Sequence, residues 1–345
     1  MSVYFFALLI SFALNAALIV PFIDFLYKLK FQRAHQQTKD AFNKATPVFD
    51  KFHSHKAGTP VGGGVLTVVT TVFLYAFLLL LFVFFDRPIQ SNYPSVIAEI
   101  KIILFTFISF ALLGVYDDLS KIFFWKEDQF FGLRLRHKLI FETVLAFIIS
   151  YWLFQELKID IIHIPFFGVF ELSYFYLIFS TFIIVAFANA VNVTDGLDGL
   201  ASGVLLIALA GFWIISSSIL DVPTSLFIAI WLGGLIAFLY FNIWPARLYL
   251  GDTGALSFGA TFAVIGLILG KAFTLSIMGG IFVVEIASSF VQLMSKRFMK
   301  KKAFPVAPLH LYLQYKGWEE PKIVMRFWIL SVLFAIFGLM FAVMR

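Results

Sequence analysis

Asp117 and Asp118 stand side by side in Gly114-Val-Tyr-Asp117-Asp118-Leu-Ser-Lys121. Adjacent carboxylates repel, which raises one pKa or recruits a cation. On a continuing helix Lys121, four residues after Asp117 and three after Asp118, lies near both. The trio suits a divalent metal or proton transfer from a phosphate. A solvated helix end whose acids pair with Lys121 fits the spacing as well. In Asn189-Ala-Val-Asn192-Val-Thr-Asp195-Gly196-Leu197-Asp198-Gly199, four amide or acid side chains recur every third residue. A helix would keep them on one slowly drifting face, and the glycines admit a ligand close to the backbone. The alternative is two successive caps where one helix ends and the next begins, although capping needs one such residue rather than four. A third stretch runs from Asn242 through Arg247 and Tyr249 to Gly251-Asp252-Thr253-Gly254. Asp252 or Thr253 falls where a helix should start, a natural phosphate site. An Asp there suits a metal that itself binds the phosphate, and a plain N-cap is compatible with either role.

Three further features are ambiguous by residue type alone. Glu285 and Gln292 are seven apart and share a helical face; Glu285 is read as an interhelical hydrogen-bonding group. His310, in Pro308-Leu309-His310, is a lone loop histidine, a type more often incidental than catalytic. Lys300–Lys302 are read as anchors near anionic headgroups.

The elements that must position these groups are membrane helices. Of 345 residues, 61% are hydrophobic, 13% are charged, 46 are Phe and none is Cys. Soluble domains carry about 25% charged and roughly 45–50% apolar residues. A mean hydropathy of +0.95 excludes an ordinary cytosolic globule, a disordered tail, a disulfide scaffold and a nucleic-acid binder. The absence of Cys also excludes thiolate metal sites and a Cys nucleophile. Apolar runs near 3–27, 62–85, 98–116, 136–155, 173–190, 200–219, 224–243, 255–274, 276–295 and 325–343 predict about ten transmembrane helices in an all-α polytopic fold. The first run lacks a basic flank and a cleavage site and reads as a retained helix. The segment 156–172 reads as an outer loop or small hairpin.

Loops 28–61, 117–138, 189–199, 244–254 and 296–326 carry 21 of the 26 Lys and Arg residues, against five on the other side. The first set is therefore read as cytoplasmic and both termini as extracytoplasmic, within one integral membrane domain spanning 1–345. The five acids of the three motifs, with Lys56, Lys121, Lys138 and His310, then all fall on the cytoplasmic face. Carboxylates, a metal, basic side chains and glycine backbone are the parts of phosphoryl transfer. A transporter would place its polar groups near the bilayer midplane, where only Glu285 stands out.

These motifs resemble the polyprenyl-phosphate N-acetylhexosamine-1-phosphate transferases. Lys56-Ala-Gly58-Thr59-Pro60 with Gly62-Gly63-Gly64, and Ala307-Pro308-x-His310 with Gly317-Trp318-Glu319 and Arg326-Phe327-Trp328, are similar to the phospho-N-acetylmuramoyl-pentapeptide transferase (MraY) branch. The likeness runs from about Lys56 to Trp328. It implies ten helices, Mg²⁺, a homodimer in the bacterial inner membrane and a cytoplasm-facing site. The implied reaction moves phospho-MurNAc-pentapeptide from UDP-MurNAc-pentapeptide to undecaprenyl phosphate, giving lipid I and UMP in peptidoglycan synthesis. The match assigns Asp252 to Mg²⁺, and Asp117 and Asp118 to the lipid phosphate, with Asp117 as base in direct attack; a covalent aspartyl-phosphate route is the alternative. Lys121, Asn192, Asp195, Gly196, Leu197, Asp198 and Asn242 line the nucleotide and phosphate site by the same match. Tyr249 replaces a family Phe suited to stacking on uracil, and Lys56, Gln292 and Ala307 match positions near the pocket. His310 is assigned a catalytic role. The chain departs from the family at Leu311 and Tyr312, where two further histidines are usual, at Val61 in place of Thr, and at Glu142 in place of an amide. The competing readings are a sister transferase using UDP-GlcNAc or a related sugar, and an inactive transporter-like or lipid-binding scaffold.

Overall fold

A computed structural model describes residues 2–32, 56–123 and 135–344. The interiors of two loops read as cytoplasmic, 33–55 and 124–134, lie outside the described residues. The apolar runs fold as α1 (Ser2–Lys28), α2 (Gly63–Phe84), α3 (Val96–Phe123), α4 (Leu135–Gln155), α5 (Phe175–Thr194), α6 (Leu200–Ser218), α7 (Val222–Asn242) and α8 (Gly251–Ile268). There follow α9 (Ala272–Met278), α10 (Gly280–Met294), the short α11 (Leu309–Tyr315) and α12 (Glu320–Val343). Among the described residues nine helices are long and apolar enough to cross a membrane, or up to ten if the α9–α10 pair is one span. That pair is bent by 81° at Gly279, where an added Cβ would lie 2.5 Å from the Phe187 ring.

The expected eighth span, 255–274, is displaced. α8 starts at Gly251 and ends at Ile268, and Gly270, with φ +64°, turns the chain so that 272–278 joins the ninth span. The segment 156–172 is a hairpin: β1 (Ile161–Ile164) pairs antiparallel with β2 (Gly168–Glu171), Ile161 opposite Glu171.

α7 and α8 form the buried centre. Every residue of α8 from Asp252 to Ile268 is buried, with α3, α5 and α2 packed around it. α1 and α12 are peripheral and expose apolar side chains such as Phe5, Phe6, Leu9 and Ile329, as lipid contact requires. Helices in lipid gain most from close backbone packing through small residues. A Cβ added at Gly114 would fall 2.4 Å from the Asp252 carbonyl oxygen and the Thr253 Cα. Only glycine lets α3 approach α8 so closely, and that contact joins the end of α3 bearing Asp117 and Asp118 to the first turn of α8. At the other end of α3, the buried Glu99 accepts from Thr224 Oγ1 at 2.6 Å, and Asp221 caps α7 by accepting from Thr224 N at 3.2 Å. The apolar patterning gave no sign of this second polar cluster.

Candidate active site

Three helices bring four charges together. Lys121, one helical turn beyond Asp117 on α3, places its Nζ 3.0 Å from Asp117 Oδ2 and 2.8 Å from Asp252 Oδ2. Lys138, from the first turn of α4, repeats the pattern at 3.1 Å and 2.6 Å. Two ammonium groups thus sit between the same two carboxylates. The groups are largely withdrawn from water, and buried charges persist only when compensated in this way.

Asp118 faces elsewhere. Its Oδ1 accepts from Asp252 N at 3.0 Å, and its Oδ2 accepts from Thr253 N at 3.0 Å and Thr253 Oγ1 at 2.8 Å. A carboxylate of α3 therefore caps the N-terminus of α8, satisfying orphan donors and complementing the helix dipole. Asp252 is left free of capping duty and points its own carboxylate at the lysines.

The motif at 189–199 is not one helical face. α5 stops at Thr194, and Gly199 adopts a left-handed φ of +76° before α6. Asn189 and Asn192 are helical, whereas Asp195 and Asp198 lie in the turn between helices. Asn189 donates to Glu142 and does not border the cavity. Asp198 Oδ1 pairs with Lys56 Nζ at 2.7 Å, and its Oδ2 accepts from Ala246 N at 2.9 Å. Lys56 Nζ also donates to the Gly196 carbonyl at 3.3 Å. Asn242 braces the same turn, accepting from Gly199 N at 3.2 Å and donating to the Leu248 carbonyl at 3.0 Å. Tyr249 N donates to the Pro60 carbonyl at 2.9 Å, which ties the Gly-Thr-Pro segment to the approach to α8.

Between these segments lies a cavity of about 260 Å³. The end of α5 contributes Asn192 and the turn contributes Asp195, Gly196, Leu197 and Asp198; Lys56 and Lys121 border it, as do Asn242, Tyr249 and Asp252. Asp117 and Asp118 adjoin it through their bonds to Lys121 and the start of α8. Burial, and then the nearby Asp252, push the Asp195 carboxyl well above the usual carboxylate range, against the pull of Lys56. Burial, with Asp198 alongside, likewise raises the Tyr249 phenol.

Five of the predicted residues do not line the cavity: Asp117 and Asp118, which reach it only through their bonds to Lys121 and the start of α8, and His310, Gln292 and Ala307. His310 is 1% exposed; its Nδ1 lies 2.9 Å from Glu285 Oε2 and its backbone N donates to Glu285 Oε1 at 3.1 Å. Its imidazole stands behind the turn, since a Cβ added at Gly196 would fall 2.4 Å from His310 Nε2. Glu285 thus makes the interhelical bond expected of it. Gln292 exchanges two 2.9 Å bonds with the Phe304 backbone, and Ala307 precedes the cis bond to Pro308 before α11. Sequence reasoning counted Lys138 among the converging basic groups without giving it a specific role, quoted Thr59 and Gly251 only within their motifs, and missed Glu320. Thr59 and Gly251 border the cavity. Glu320 reaches the turn, where the motif likeness had picked out its neighbour Glu319.

Among the described residues no three carboxylate or histidine groups converge on one point to hold a metal. Mg²⁺ needs no such cage: it is held by one or two carboxylates together with substrate phosphates and water. Asp252 and Asp117, whose Oδ2 atoms meet the same two ammonium groups, offer that partial donor set.

Comparison with known proteins places this helical bundle and its polar cavity among membrane sugar-phosphate transferases: residues 100–270 match the family described as Glycosyl transferase family 4. The chain is 36% identical over 329 residues to the phospho-N-acetylmuramoyl-pentapeptide-transferase of Caldanaerobacter subterraneus subsp. tengcongensis, covering 95% of each chain. It is 35% identical over 347 residues to the enzyme of that name from Rickettsia canadensis, covering 95% of this chain and 91% of the relative. The corresponding values for Rickettsia prowazekii are 33% over 348 residues, 95% and 91%. The chain belongs to the phospho-N-acetylmuramoyl-pentapeptide transferase family.

Proposed function

We propose that this protein transfers phospho-MurNAc-pentapeptide from UDP-MurNAc-pentapeptide to undecaprenyl phosphate, releasing UMP and forming lipid I. The observation that carries the reading is the Asp117–Lys121–Lys138–Asp252 cluster at the edge of a polar cavity. Phosphoryl transfer is achieved mainly by positioning and charge stabilisation, and this cluster supplies both. Asp117 takes the proton of the lipid phosphate, whose oxygen attacks the sugar-linked phosphorus. The bond from that phosphorus to the bridging oxygen breaks and UMP leaves. Lys121 and Lys138 neutralise charge on the equatorial oxygens. Asp118 acts from behind by holding the first turn of α8, and with it Asp252, in place. Asn192 at the end of α5, the turn at 195–198 and Tyr249 receive the nucleotide, Tyr249 by stacking on uracil.

Mg²⁺ would be held by Asp252 together with the substrate phosphates and would supply charge stabilisation for the pyrophosphate, leaving Asp117 as the base. His310 and Gln292 act through the walls of the site rather than from within it. The chain works as one integral domain in the bacterial inner membrane, with the site facing the cytoplasm, both termini outside and a second copy as homodimer partner.

Purified protein given Mg²⁺ and both substrates tests the site. Asp252→Ala is expected to lose on the order of 100-fold or more in turnover while remaining folded; near-normal turnover refutes its role.

A further inference from the structure

Glu320 is the first residue of α12, and its carboxylate leaves its own helix. Oε1 accepts from Asp198 N at 2.6 Å and from Lys56 Nζ at 2.6 Å. Lys56 in turn bridges to Asp198 Oδ1 and to the Gly196 carbonyl. One buried ammonium therefore serves two buried carboxylates and a backbone oxygen, all directed at a single turn. Glu320 is 6% exposed, yet its Oε2 has no hydrogen-bond partner. A buried carboxylate oxygen without a donor is costly, and a helix needing only an N-terminal acid could keep the carboxylate hydrated instead.

The same side of α12 supports the next residue of the turn. Trp328, eight positions on, donates from Nε1 to the Gly199 carbonyl at 3.1 Å. A Cβ at Gly203 would fall 2.2 Å from that nitrogen. The turn is thus gripped at Asp198 by Glu320 and at Gly199 by Trp328. Asp195, Gly196, Leu197 and Asp198 itself border the cavity, as does Lys56.

Resting on the nucleotide site proposed above, we infer that Glu320 is a positioning residue: through Lys56 and the Asp198 backbone it sets the Asp195–Gly199 turn in the form that binds the uridine nucleotide. Glu320 does not line the cavity, and its bonds go to Lys56 and the Asp198 backbone, not to the Asp117–Asp252 cluster. Its loss weakens nucleotide binding and leaves the chemical step and the lipid acceptor nearly unaffected.

The test is UMP binding to the detergent-purified full chain, measured without turnover, for wild type, Glu320→Ala and Glu320→Gln. Glu320→Ala is expected to weaken UMP binding on the order of tenfold. Glu320→Gln keeps an acceptor for Asp198 N and is expected to fall between the two; it also carries the test if the alanine variant does not fold. In steady state the KM for the UDP-sugar rises by the same factor, while kcat and the KM for polyprenyl phosphate stay within about threefold. A wholly structural role would instead lower folded yield with both KM values unchanged. Unchanged UMP affinity in the variants, or a wild type that binds no UMP, overturns the inference. Wild-type protein that binds UMP but transfers no sugar phosphate overturns the proposed reaction and leaves the role of Glu320 standing.

Discussion

Asp118 and Asp195 show how one residue type takes opposite tasks. Asp118 spends both oxygens on the start of α8, whereas Asp195 lines the cavity, where burial and then the nearby Asp252 push its carboxyl well above the usual carboxylate range. A carboxyl whose folded-state pKa lies above the ordinary value of about 3.9 binds its proton more tightly folded than unfolded. Stability therefore falls as pH rises from about 4 through the raised value, and returns on acidification. Asp195→Asn removes that dependence. Thermal unfolding in detergent is expected to show a higher midpoint for Asp195→Asn at neutral pH and a flatter profile between pH 4 and 8, together with reduced turnover. A steeper profile in the variant contradicts the assignment. The acids themselves were legible in the sequence, because unpaired carboxylates are rare at the ends of apolar runs. The division of labour was not. Asp118 finds its partners 134 and 135 positions away, and no local spacing announces that contact.

At the scale of elements, the Asp195–Gly199 turn is held from both sides. The end of α7 and the approach to α8 brace it through Asn242 and Ala246; α11 and α12 support it through His310, Glu320 and Trp328. Spacing suggested that its glycines admit a ligand, yet Gly196 is also small because His310 occupies the space behind it. Gly196→Ala places a methyl group 2.4 Å from His310 Nε2 and is expected to lower turnover on the order of tenfold by displacing the turn. Adding His310→Ala makes room and is expected to recover part of that loss relative to His310→Ala alone. A Gly196→Ala enzyme with wild-type turnover contradicts the packing argument. The helices were legible because an apolar run of about 20 residues has few alternatives in a membrane. The end of α5 before Asp195 falls within the loop 189–199 that the apolar runs left open, whereas the break at Gly279, packed against Phe187 of α5, was not legible. Polarity and Pro165 ruled out a span at 156–172 and left a loop or a hairpin; the structure shows the hairpin.

At the scale of the whole molecule, the charge asymmetry of the loops and the gathering of the motif residues at one end of the bundle point to the same side. The chain contains no cysteine, so single cysteines report sidedness directly. Lys158→Cys is expected to react with an impermeant maleimide on intact, right-side-out vesicles, and Lys301→Cys only after permeabilisation. Labelling of both from one side contradicts the proposed orientation. The loops of the motifs surround a polar cavity at the end of a mostly apolar bundle, which suits one water-soluble and one lipid substrate. The most direct test of that reading is UMP release by the purified protein with Mg²⁺ and undecaprenyl phosphate, comparing UDP-MurNAc-pentapeptide with UDP-GlcNAc. The account predicts UMP release and lipid I with the first donor and none with the second; release with UDP-GlcNAc alone, or with neither donor, contradicts it.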